Sequence, residues 1–416
     1  KRSDYDSARP LSVTTQPLLP KLEYNTVEGL VINGELTVKK ENLATGNNFE
    51  FIPHIRYGFS NTRLNAWATI NFNRKQAVYD MSGGSSSRST WSFSGGKRVS
   101  QFNPENPVSP LINEIYTLLA RRNYLKIYEN AFGYAQYKTR LDNGLRMGGS
   151  LLYEDRQPLD NTSDFSFFGS KDRAFTPNYP YEKINSAFPR HQAVIAGIDL
   201  QFKPGQRYIQ FPDNKLAIGS KYPTLALSYR KGIPGLFGSD VDYDKWQFSV
   251  WDDLNLKLRG ILKYRFGIGG FFNTRKVFIQ DFQHFNGNQT FYASEYLNSF
   301  QLAPYYANST TAAFYATGHV EEHFNGMLTN KVPLLRNLQW NLVVGSNAFY
   351  VNRNNNYVEI FGGLENILKI FRVDVVASYL NGKTGQVGVR LGMDGLFGGF
   401  FNAALKNPGG GPPRRN

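Results

Sequence analysis

Two adjacent stretches of the chain, residues 48–59 and 63–73, alternate between apolar and polar side chains, and no other sequence feature constrains the fold as strongly. Alternation at every second position is typical of strands whose two faces meet different environments. The Ser60-Asn61 pair between the stretches favours a turn, so together they predict an antiparallel hairpin. Each arm has about ten residues, the length that a tilted strand needs to cross a bilayer.

The faces of this hairpin, and of a similar stretch at 258–268, predict two opposite environments. The apolar face is predicted to meet lipid through Phe51, Ile55, Leu64, Ala68, Ile70, Leu258, Leu262, Tyr264 and Phe266. The other face carries basic side chains that are predicted to point into a barrel lumen, namely Arg56, Arg63, Arg259, Lys263 and Arg265. In a lumen they would either join an internal salt-bridge network or bias a pore toward anions.

The composition of the chain agrees with a membrane barrel. Hydrophobic residues make up 41% of it, the mean hydropathy is −0.42, and no apolar run is long enough for a transmembrane helix. A barrel hides its apolar residues at alternate positions, so its average hydropathy stays low. Aromatic residues reach 15%, which girdles at both membrane interfaces would use. A large secreted β-protein shares this composition and stays open as an alternative.

The charge and the absence of cysteine limit the possible functions. The formal net charge is +14, but the basic residues are dispersed and no nucleic-acid-binding motif occurs, so no nucleic-acid partner is predicted. Contact with the phosphates of lipopolysaccharide explains the charge better. Because the chain has no Cys, thiolate catalysis and iron–sulfur clusters are excluded.

The chain divides into three predicted regions. Residues 1–25 are predicted to be an irregular N-terminal linker, because three prolines interrupt any regular element. Residues 26–401 are predicted to form the barrel. Residues 402–416, rich in Gly and Pro, are predicted to be a flexible C-terminal tail.

The barrel region contains one predicted helix among many strands. A short amphipathic helix is predicted near 110–120, where Ser109-Pro110 favours a helix start and apolar residues follow at helical spacing. The alternating stretches amount to about 15 strands. Because bacterial single-chain barrels have even strand numbers, the predicted fold is all-β, a closed antiparallel transmembrane β-barrel of about 14–16 strands.

Two short turns, near 60–61 and 139–143, conflict with a simple barrel pattern. Short turns are expected to gather at the periplasmic end of a barrel, with long loops at the other end. The strand count places these two turns at opposite ends. Either a strand is miscounted between them, or the helical segment departs from the rule.

The sequence HVEEH, from His319 to His323, matches an inverted zinc-protease pattern. That chemistry requires a helix, whereas the surrounding residues alternate like a strand. On a strand, His319, Glu321 and His323 share the polar face, where they would form either a metal site or a polar patch in a wet lumen. We predict no metal, no cofactor and no catalytic residues. His319, Glu321 and His323 are the candidate ligands should a metal bind.

Several phrases of the chain resemble a family of uncharacterised Gram-negative outer-membrane barrels that carry an N-terminal carboxypeptidase-regulatory-like domain. The phrases are YNTVEGL at 24–30, LINEIYTLLARRNYLKIYE at 111–129, PTLALSYRKG at 223–232, DFQHFNGNQT at 281–290 and HFNGMLTNKVPLLRNLQWNLVVG at 323–345. The resemblance implies that the chain is the barrel portion of a member of that family. The barrel is also distantly similar to the superfamily of outer-membrane assembly and two-partner secretion, whose barrels have 16 strands.

The predicted location is the cell outer membrane, and the predicted function is non-enzymatic. The chain would act as an accessory component of an envelope complex for outer-membrane protein assembly or export. Its predicted partners are outer-membrane lipid, including lipopolysaccharide, and other envelope proteins. Two alternatives stay open: a pore or transporter for a small solute, and a secreted β-rich enzyme or glycan-binding protein.

Overall fold

The computed structural model describes residues 2–4, 11–15, 22–42, 45–74, 78–80, 85–86, 88–168, 173–211, 215–324, 326, 329–331 and 333–393. Its strands, numbered along the chain, are β1 Arg2–Asp4, β2 Leu11–Thr15, β3 Leu22–Asn25, β4 Gly29–Glu41, β5 Asn48–Gly58, β6 Arg63–Arg74, β7 Val78–Asp80, β8 Ser85–Ser86, β9 Ser89–Gln101, β10 Ile127–Arg140, β11 Leu145–Gln157, β12 His191–Phe202, β13 Arg207–Gln210, β14 Lys215–Gly219, β15 Thr224–Gly232, β16 Asp242–Asn255, β17 Ile261–Lys276, β18 Tyr315–Phe324, β19 Asn341–Asn352, β20 Asn355–Ile367, β21 Phe371–Leu380 and β22 Lys383–Met393. Two α-helices accompany them, α1 Pro110–Ala120 and α2 Pro333–Leu338. In the described part of the chain, no helix combines the length and the apolar character needed to cross a membrane.

Eighteen of the strands form one sheet in which every pairing is antiparallel, and β7, β8, β13 and β14 form a second, smaller sheet. From β4 onward the large sheet is a meander of fifteen strands, β4–β6, β9–β12 and β15–β22, each beside its neighbour in the chain. On the other edge of β4, the short strands β2 and β3 pair with its two halves and together make a sixteenth, interrupted column. The predicted antiparallel all-β fold is confirmed.

The meander has two unlike ends. One, which we call the long-loop end, carries the connections 102–126, 158–190 and 277–314 together with the turns 26–28 and 59–62. The shorter connections 233–241, 353–354 and 381–382 also lie at this end. The connections 42–47, 75–88, 141–144, 203–223, 256–260, 325–340 and 368–370 lie at the opposite end. With sixteen antiparallel columns, the first column begins and the last column ends at this opposite end.

The two short turns that conflicted with the barrel pattern do lie at opposite ends, and the strand count contains no error. Three strands, β6, β9 and β10, separate the turn at 59–62 from the turn at 141–144. The short turn at the long-loop end is covered by a neighbouring loop, because the Ser60 hydroxyl donates to the Thr162 carbonyl oxygen at 3.0 Å. The backbone N–H of Thr162 in turn donates to the Thr26 carbonyl oxygen at 2.9 Å.

The prediction of an irregular segment over residues 1–25 is wrong where the structure describes it. Strands β1, β2 and β3 occupy 2–4, 11–15 and 22–25 and join the sheet edge. β1 precedes Pro10, β2 lies between Pro10 and Pro17, and β3 follows Pro20, so none of these three strands contains a Pro. The predicted tail at 402–416 lies outside the described residues.

A tight turn separates β3 from β4. The Asn25 side-chain oxygen accepts the backbone N–H groups of Val27 and Glu28 at 2.9 and 2.8 Å, which is an Asx turn. Gly29 follows with φ of 67°, a conformation that glycine adopts without strain because it has no Cβ atom.

The predicted strand at 258–268 begins later than expected. Leu258 and Arg259 lie in a single 3-10 turn between β16 and β17, not on the strand. The turn forms because Lys257 adopts φ of 59° and Gly260 adopts φ of 122°, positive values that depart from regular strand geometry. From Ile261 the alternation continues as predicted and extends to Lys276.

Helix α1 confirms the predicted helix near 110–120 in both position and start. It begins with Pro110 at its first turn and ends at Arg121, which adopts the left-handed conformation. The buried Asn113 fastens the helix to the returning chain: its side-chain oxygen accepts the backbone N–H groups of Tyr124 and Leu125 at 2.8 and 2.9 Å.

The connection 277–314, which we call the interior loop, lies against one face of the large sheet, and we call that face the inner face. The interior loop contributes to all four buried apolar clusters of the molecule's described part, through aromatic residues such as Phe285, Tyr296 and Phe300. The core therefore lies between the loop and the inner face.

The opposite, outer face of the sheet exposes large apolar side chains from nearly every strand of the meander. Leu64 on β6 is 56% exposed and Val375 on β21 is 55% exposed. Others on this face are Ile55, Phe72, Trp91, Phe93, Leu151, Ile198, Phe266, Ile360, Val387 and Val389. Continuous exposure on this scale is unusual for a protein surface in water.

Candidate functional site

The interior loop is fastened to the sheet by a buried carboxylate on β20. Glu359 is fully buried, and its oxygens accept the backbone N–H groups of Gln301 at 2.7 and 2.9 Å and of Leu302 at 3.2 Å. The Asn347 amide and the Tyr357 hydroxyl donate to the same carboxylate at 2.7 and 2.9 Å. A carboxylate that accepts several N–H groups binds a loop backbone firmly, because each bond is charge-assisted.

A second anchor joins the loop to β21. The Tyr296 hydroxyl donates to Asp374 at 2.7 Å, and the Arg372 side chain donates to the same carboxylate at 2.8 Å. The Arg372 guanidinium also lies 4.1 Å from the centre of the Tyr296 ring and pairs with Glu321 on β18. All four side chains are buried, and Arg372 lies between the two carboxylates, so each buried charge has an opposite charge beside it.

The loop also pairs with the edge of the last strand. The backbone N–H of Ala293 donates to the Leu391 carbonyl oxygen, and the Leu391 N–H donates to the Phe291 carbonyl oxygen, both at 2.9 Å. These bonds make a parallel bridge between Tyr292 and Leu391. The loop therefore extends the sheet by one short strand beside β22.

We expect a disulfide to form between cysteines placed at this bridge, by Tyr292→Cys and Leu391→Cys. A bridged pair brings the Cα atoms to within the reach of a disulfide, about 4.4–6.8 Å, and the chain has no native Cys to compete. Gel mobility without reductant measures the cross-link in isolated membranes. The matched control pairs Tyr292→Cys with Val387→Cys, four residues away along β22 or about 13 Å; equal cross-linking in both pairs would contradict the docked loop.

The other side of the interior loop is held by β11. The Arg156 guanidinium donates two hydrogen bonds to Asp281, at 2.7 and 2.9 Å, and one to Glu154 at 2.9 Å. The Tyr243 hydroxyl adds a bond to Asp281 at 3.2 Å. Burial alone raises the pKa of Asp281, but the charge and hydrogen bonds of Arg156 outweigh burial and hold that pKa below its usual range.

The loop thus spans the inner face and joins strands that are far apart in the sheet. Its Asp281 end is bound to β11, and its 291–302 part is bound to β20, β21 and β22. Near its middle, the Asn103 side chain of the connection 102–126 donates to Asn286 at 2.8 Å. The loop is therefore held at three places and lies fixed against the inner face.

Beside the loop, the inner face retains a cavity of about 690 Å³. Residues from nine consecutive columns, β6 to β18, line it together with the loop, which requires the sheet to curve around it. Its lining contains eight Lys or Arg side chains, among them Arg98, Lys138 and Arg265, against four Asp or Glu side chains. The cavity is therefore electropositive and suits anions better than cations.

The model of the C-terminal domain of DUF5686, a family of unknown function, matches residues 3–364. The chain belongs to this family. No curated protein matches it.

Solved structures similar to this DUF5686 domain are outer-membrane β-barrels. CdiB from Acinetobacter baumannii has a TM-score of 0.39 at 9% identity, over 88% of this chain and 54% of CdiB, so the chain spans about half the length of that protein. BamA from Haemophilus ducreyi lacking POTRA domains 1–3 has a TM-score of 0.46 at 10% identity, over 92% of this chain and 70% of that one. A Rh. blastica porin mutant has a TM-score of 0.35 at 8% identity, over 91% and 96%. At these identities and TM-scores, the likenesses carry no inference about activity.

Four of the five basic residues predicted to face a lumen lie on strands of the large sheet. Their side chains are on its inner face. Arg56 is bound by Glu28 at 2.5 Å and by Glu23 at 2.9 Å. Arg63 pairs with Glu129 at 2.7 Å. By register, Lys263 and Arg265 lie opposite Glu321 and His319 of the same face, whereas Arg259 lies in the turn described above.

The apolar residues predicted to meet lipid lie on the outer face wherever they are on strands. Phe51 and Ile55 on β5 are paired with Ile70 and Ala66 on β6, opposite in direction to Arg56. Leu64, Ala68, Leu262, Tyr264 and Phe266 share that face, while Leu258 is 88% exposed in the 3-10 turn. Contact with lipid stays a prediction.

The three metal candidates meet other partners. His319 shares a hydrogen bond of 2.9 Å with Asn347, His323 pairs with Glu365 at 2.8 Å, and Glu321 is bound by Arg372. Within the described ranges, no group of three His, Cys, Asp or Glu side chains has the arrangement of a metal site. Here the candidates contribute to the polar network that surrounds the loop anchors.

The residues that hold the interior loop were not predicted from the sequence. Glu359 and Asp374 each interrupt a strand at an inner-face position between apolar neighbours, whereas Arg156 follows Glu154 and Asp155 in a charged stretch. An isolated charge in such a place is a usable signal, because a charge on a buried face requires a partner. The sequence does not indicate which loop supplies that partner.

Proposed function

We propose that this chain is a closed outer-membrane β-barrel of sixteen strands, plugged by its interior loop, that acts without catalysis as an accessory component of an envelope complex for outer-membrane protein assembly or export. The observation that carries the membrane part is the outer face, which exposes large apolar side chains such as Leu64 and Val375. Contact of these apolar side chains with lipid is favourable, whereas their exposure to water is unfavourable in free energy.

The even number of columns supports an orientation in the outer membrane. The first column begins and the last column ends at the end opposite the long loops, and in outer-membrane barrels long loops are extracellular. The proposal therefore places 102–126, 158–190 and 277–314 at the cell surface side. A preceding carboxypeptidase-regulatory-like domain, expected from the family resemblance, would then lie in the periplasm, where it could contact other envelope proteins.

The plug supports an accessory role over an open pore. The loop's Asp281 and the wall's Glu359 and Asp374 are each matched by buried donors, so these three carboxylates hold the loop against the sheet. An open channel needs a continuous hydrated path. A fixed plug removes that path in the resting protein.

Membrane fractionation and planar-bilayer recording test the proposal together. We expect the full chain to stay in the outer-membrane fraction after alkaline carbonate washing, to require detergent for extraction, and to conduct poorly in a planar bilayer. Release without detergent would favour the secreted β-protein and overturn the membrane part. Large, stable conductance by the wild-type chain would overturn the plugged state.

A second candidate function, passage or binding of a small anionic solute, is favoured by the cavity beside the loop. Its lining carries twice as many basic as acidic side chains, and the volume of about 690 Å³ fits a small molecule. If this function applies, reversing one lining charge with Arg265→Glu should change the anion preference of any residual conductance. Unchanged selectivity would remove this candidate.

A further inference from the structure

Helix α1 turns an apolar stripe outward. Leu111, Ile115 and Leu119, spaced by four residues, are 43%, 38% and 50% exposed, while Ile112 and Thr117 on the other side are buried. A helix on a protein in water normally buries its apolar stripe. The described residues therefore leave this stripe uncovered and available to a partner.

Three phenylalanines of the connection 158–190 enlarge the stripe into one surface. Phe165, Phe167 and Phe168 are each more than half exposed, and the backbone N–H of Phe167 donates to the carbonyl oxygen of Leu118 in α1 at 2.8 Å. We call Leu111, Ile115, Leu119, Phe165, Phe167 and Phe168 the α1 patch.

The α1 patch continues the outer face of the sheet. Helix α1 packs on β3, whose Tyr24 lies opposite Leu30 on the outer face. The Tyr24 hydroxyl bonds to the Ser163 hydroxyl at 2.6 Å and donates to the Phe165 carbonyl oxygen at 3.1 Å. The surface that the proposed function places in lipid thus runs without a break onto the α1 patch, at the long-loop end.

A basic pocket of about 430 Å³ adjoins the C-terminal end of α1. Arg121, Arg122, Lys126 and Arg173 contribute to its lining, and its single carboxylate, Glu182, already accepts the Gln289 amide at 3.0 Å and the Tyr306 backbone N–H at 3.1 Å. The pocket therefore presents uncompensated positive charge to an incoming group.

The four cations of the pocket are not equivalent. Arg121 pairs with Asp164 at 2.6 Å, and Lys126 is buried against the Thr176 hydroxyl at 2.6 Å, where burial lowers the pKa of its amine to about 7. Arg122 and Arg173 are exposed, and neither forms an ion pair with another residue in the described part of the chain. These two side chains are placed to receive an anion.

We infer that the α1 patch and the basic pocket form one binding site for a phosphorylated glycolipid of the outer leaflet, the lipid A type of lipopolysaccharide. Its acyl chains would lie on the α1 patch, and a phosphate would contact Arg122 and Arg173. The inference rests on the proposed function, because that function puts the long-loop end at the outer leaflet. A ligand with both acyl chains and phosphates satisfies the two surfaces at once, as amphipathic helices beside anionic lipid do.

Native mass spectrometry of the full chain in detergent, titrated with bis-phosphorylated lipid A, tests the site. We expect the wild-type chain to retain this lipid, and to retain dephosphorylated lipid A and phosphatidylethanolamine less well. The double variant Arg122→Glu and Arg173→Glu should bind bis-phosphorylated lipid A about tenfold more weakly or worse, since each cation near anionic lipid contributes about 1 kcal/mol.

Two further variants separate the contributions to the site. Ile115→Asn combined with Phe167→Ser should weaken both forms of lipid A, because it removes apolar contact and leaves the cations. Lys221→Glu, an exposed cation in the connection 203–223 at the opposite end, is the charge control and should bind like the wild type.

Several results would overturn the inference. These are equal binding of dephosphorylated and phosphorylated lipid A, unchanged binding by the double arginine variant, or a photo-cross-linker at position 115 that captures a protein in intact cells in place of lipid. Carbonate washing of the same preparations keeps the proposals apart. A chain that stays in the membrane but ignores lipid A contradicts this site alone, whereas a chain released without detergent contradicts the proposed function.

Discussion

Glu359→Ala will release the interior loop from the sheet and open a path through the protein. The substitution removes the acceptor for the backbone N–H groups of Gln301 and Leu302, the Asn347 amide and the Tyr357 hydroxyl. Each buried donor left without a partner costs about 1–3 kcal/mol. The total loss, on the order of 5 kcal/mol by the same principle, exceeds that of an ordinary core substitution.

Two measurements follow the release of the loop. Chymotrypsin is the suitable protease, because residues 277–314 contain many aromatic side chains and no Lys or Arg. We expect rapid cleavage within the loop of the variant in intact membranes, and a conductance in planar bilayers several times that of the wild type. The Gln301 region should be among the first sites cut.

Matched variants make this result specific. Glu359→Gln keeps one acceptor oxygen and should lie between the wild type and Glu359→Ala. Asp160→Ala removes an exposed carboxylate of the connection 158–190 and should have no effect. If Glu359→Ala shows the wild-type cleavage pattern and conductance, the carboxylate does not anchor the loop.

Arg156→Met will destabilise the other attachment of the loop by about 3–5 kcal/mol, the usual cost of leaving a buried charge without its partner. Asp281 would lose a bidentate pair at 2.7 and 2.9 Å and keep the Tyr243 hydroxyl, while Glu154 would keep Arg98 at 3.3 Å. The midpoint of urea unfolding in detergent micelles measures the loss.

The pH dependence of this loss identifies Asp281 as its source. In the wild type, Asp281 has a lowered pKa, so its stabilisation is present above the carboxyl's ordinary pKa and is lost as the pH falls through the lowered value. Without Arg156, burial dominates and raises the pKa of Asp281. As the pH falls, Asp281 is therefore protonated, which removes the unpaired buried charge that destabilises the variant. The difference between wild type and variant should therefore shrink from about pH 7 toward pH 4.

A double variant completes the test of this pair. Arg156→Met with Asp281→Leu removes both charges and should be more stable than Arg156→Met alone, by a coupling energy of about 1–3 kcal/mol. Equal stability of the single and double variants, or a loss independent of pH, would show that Arg156 acts through Glu154 or packing instead of Asp281.

Most strands could be predicted from the sequence because each side chain of a two-faced sheet reports its environment at every second position. The stretches 48–59 and 63–73 match β5 and β6 to within one residue at each end, a scatter expected for strand ends. The failures lie where a local conformation overrides alternation. Lys257 and Gly260 shorten β17 at its start, so Leu258 and Arg259 lie in a turn.

The interior loop could not be predicted because its conformation depends on partners remote in sequence. Asp281 meets Arg156 across 125 positions, and Gln301 meets Glu359 across 58. No periodicity within 277–314 records these contacts. The same reason applies to the orientation of α1. Its start was predicted from Ser109-Pro110, but the outward direction of its apolar stripe depends on the buried Asn113, which fixes the rotation of the helix.

The parallel bridge at Leu391 has a consequence for self-association. The exposed edge of a sheet is a template on which strands of other molecules can add. At Leu391 both backbone groups are already taken by Phe291 and Ala293 of the same chain. In a closed barrel this edge of β22 faces the first column, so residues 291–293 take the place of that column at Leu391 and cover a part of the seam that a foreign strand could otherwise reach.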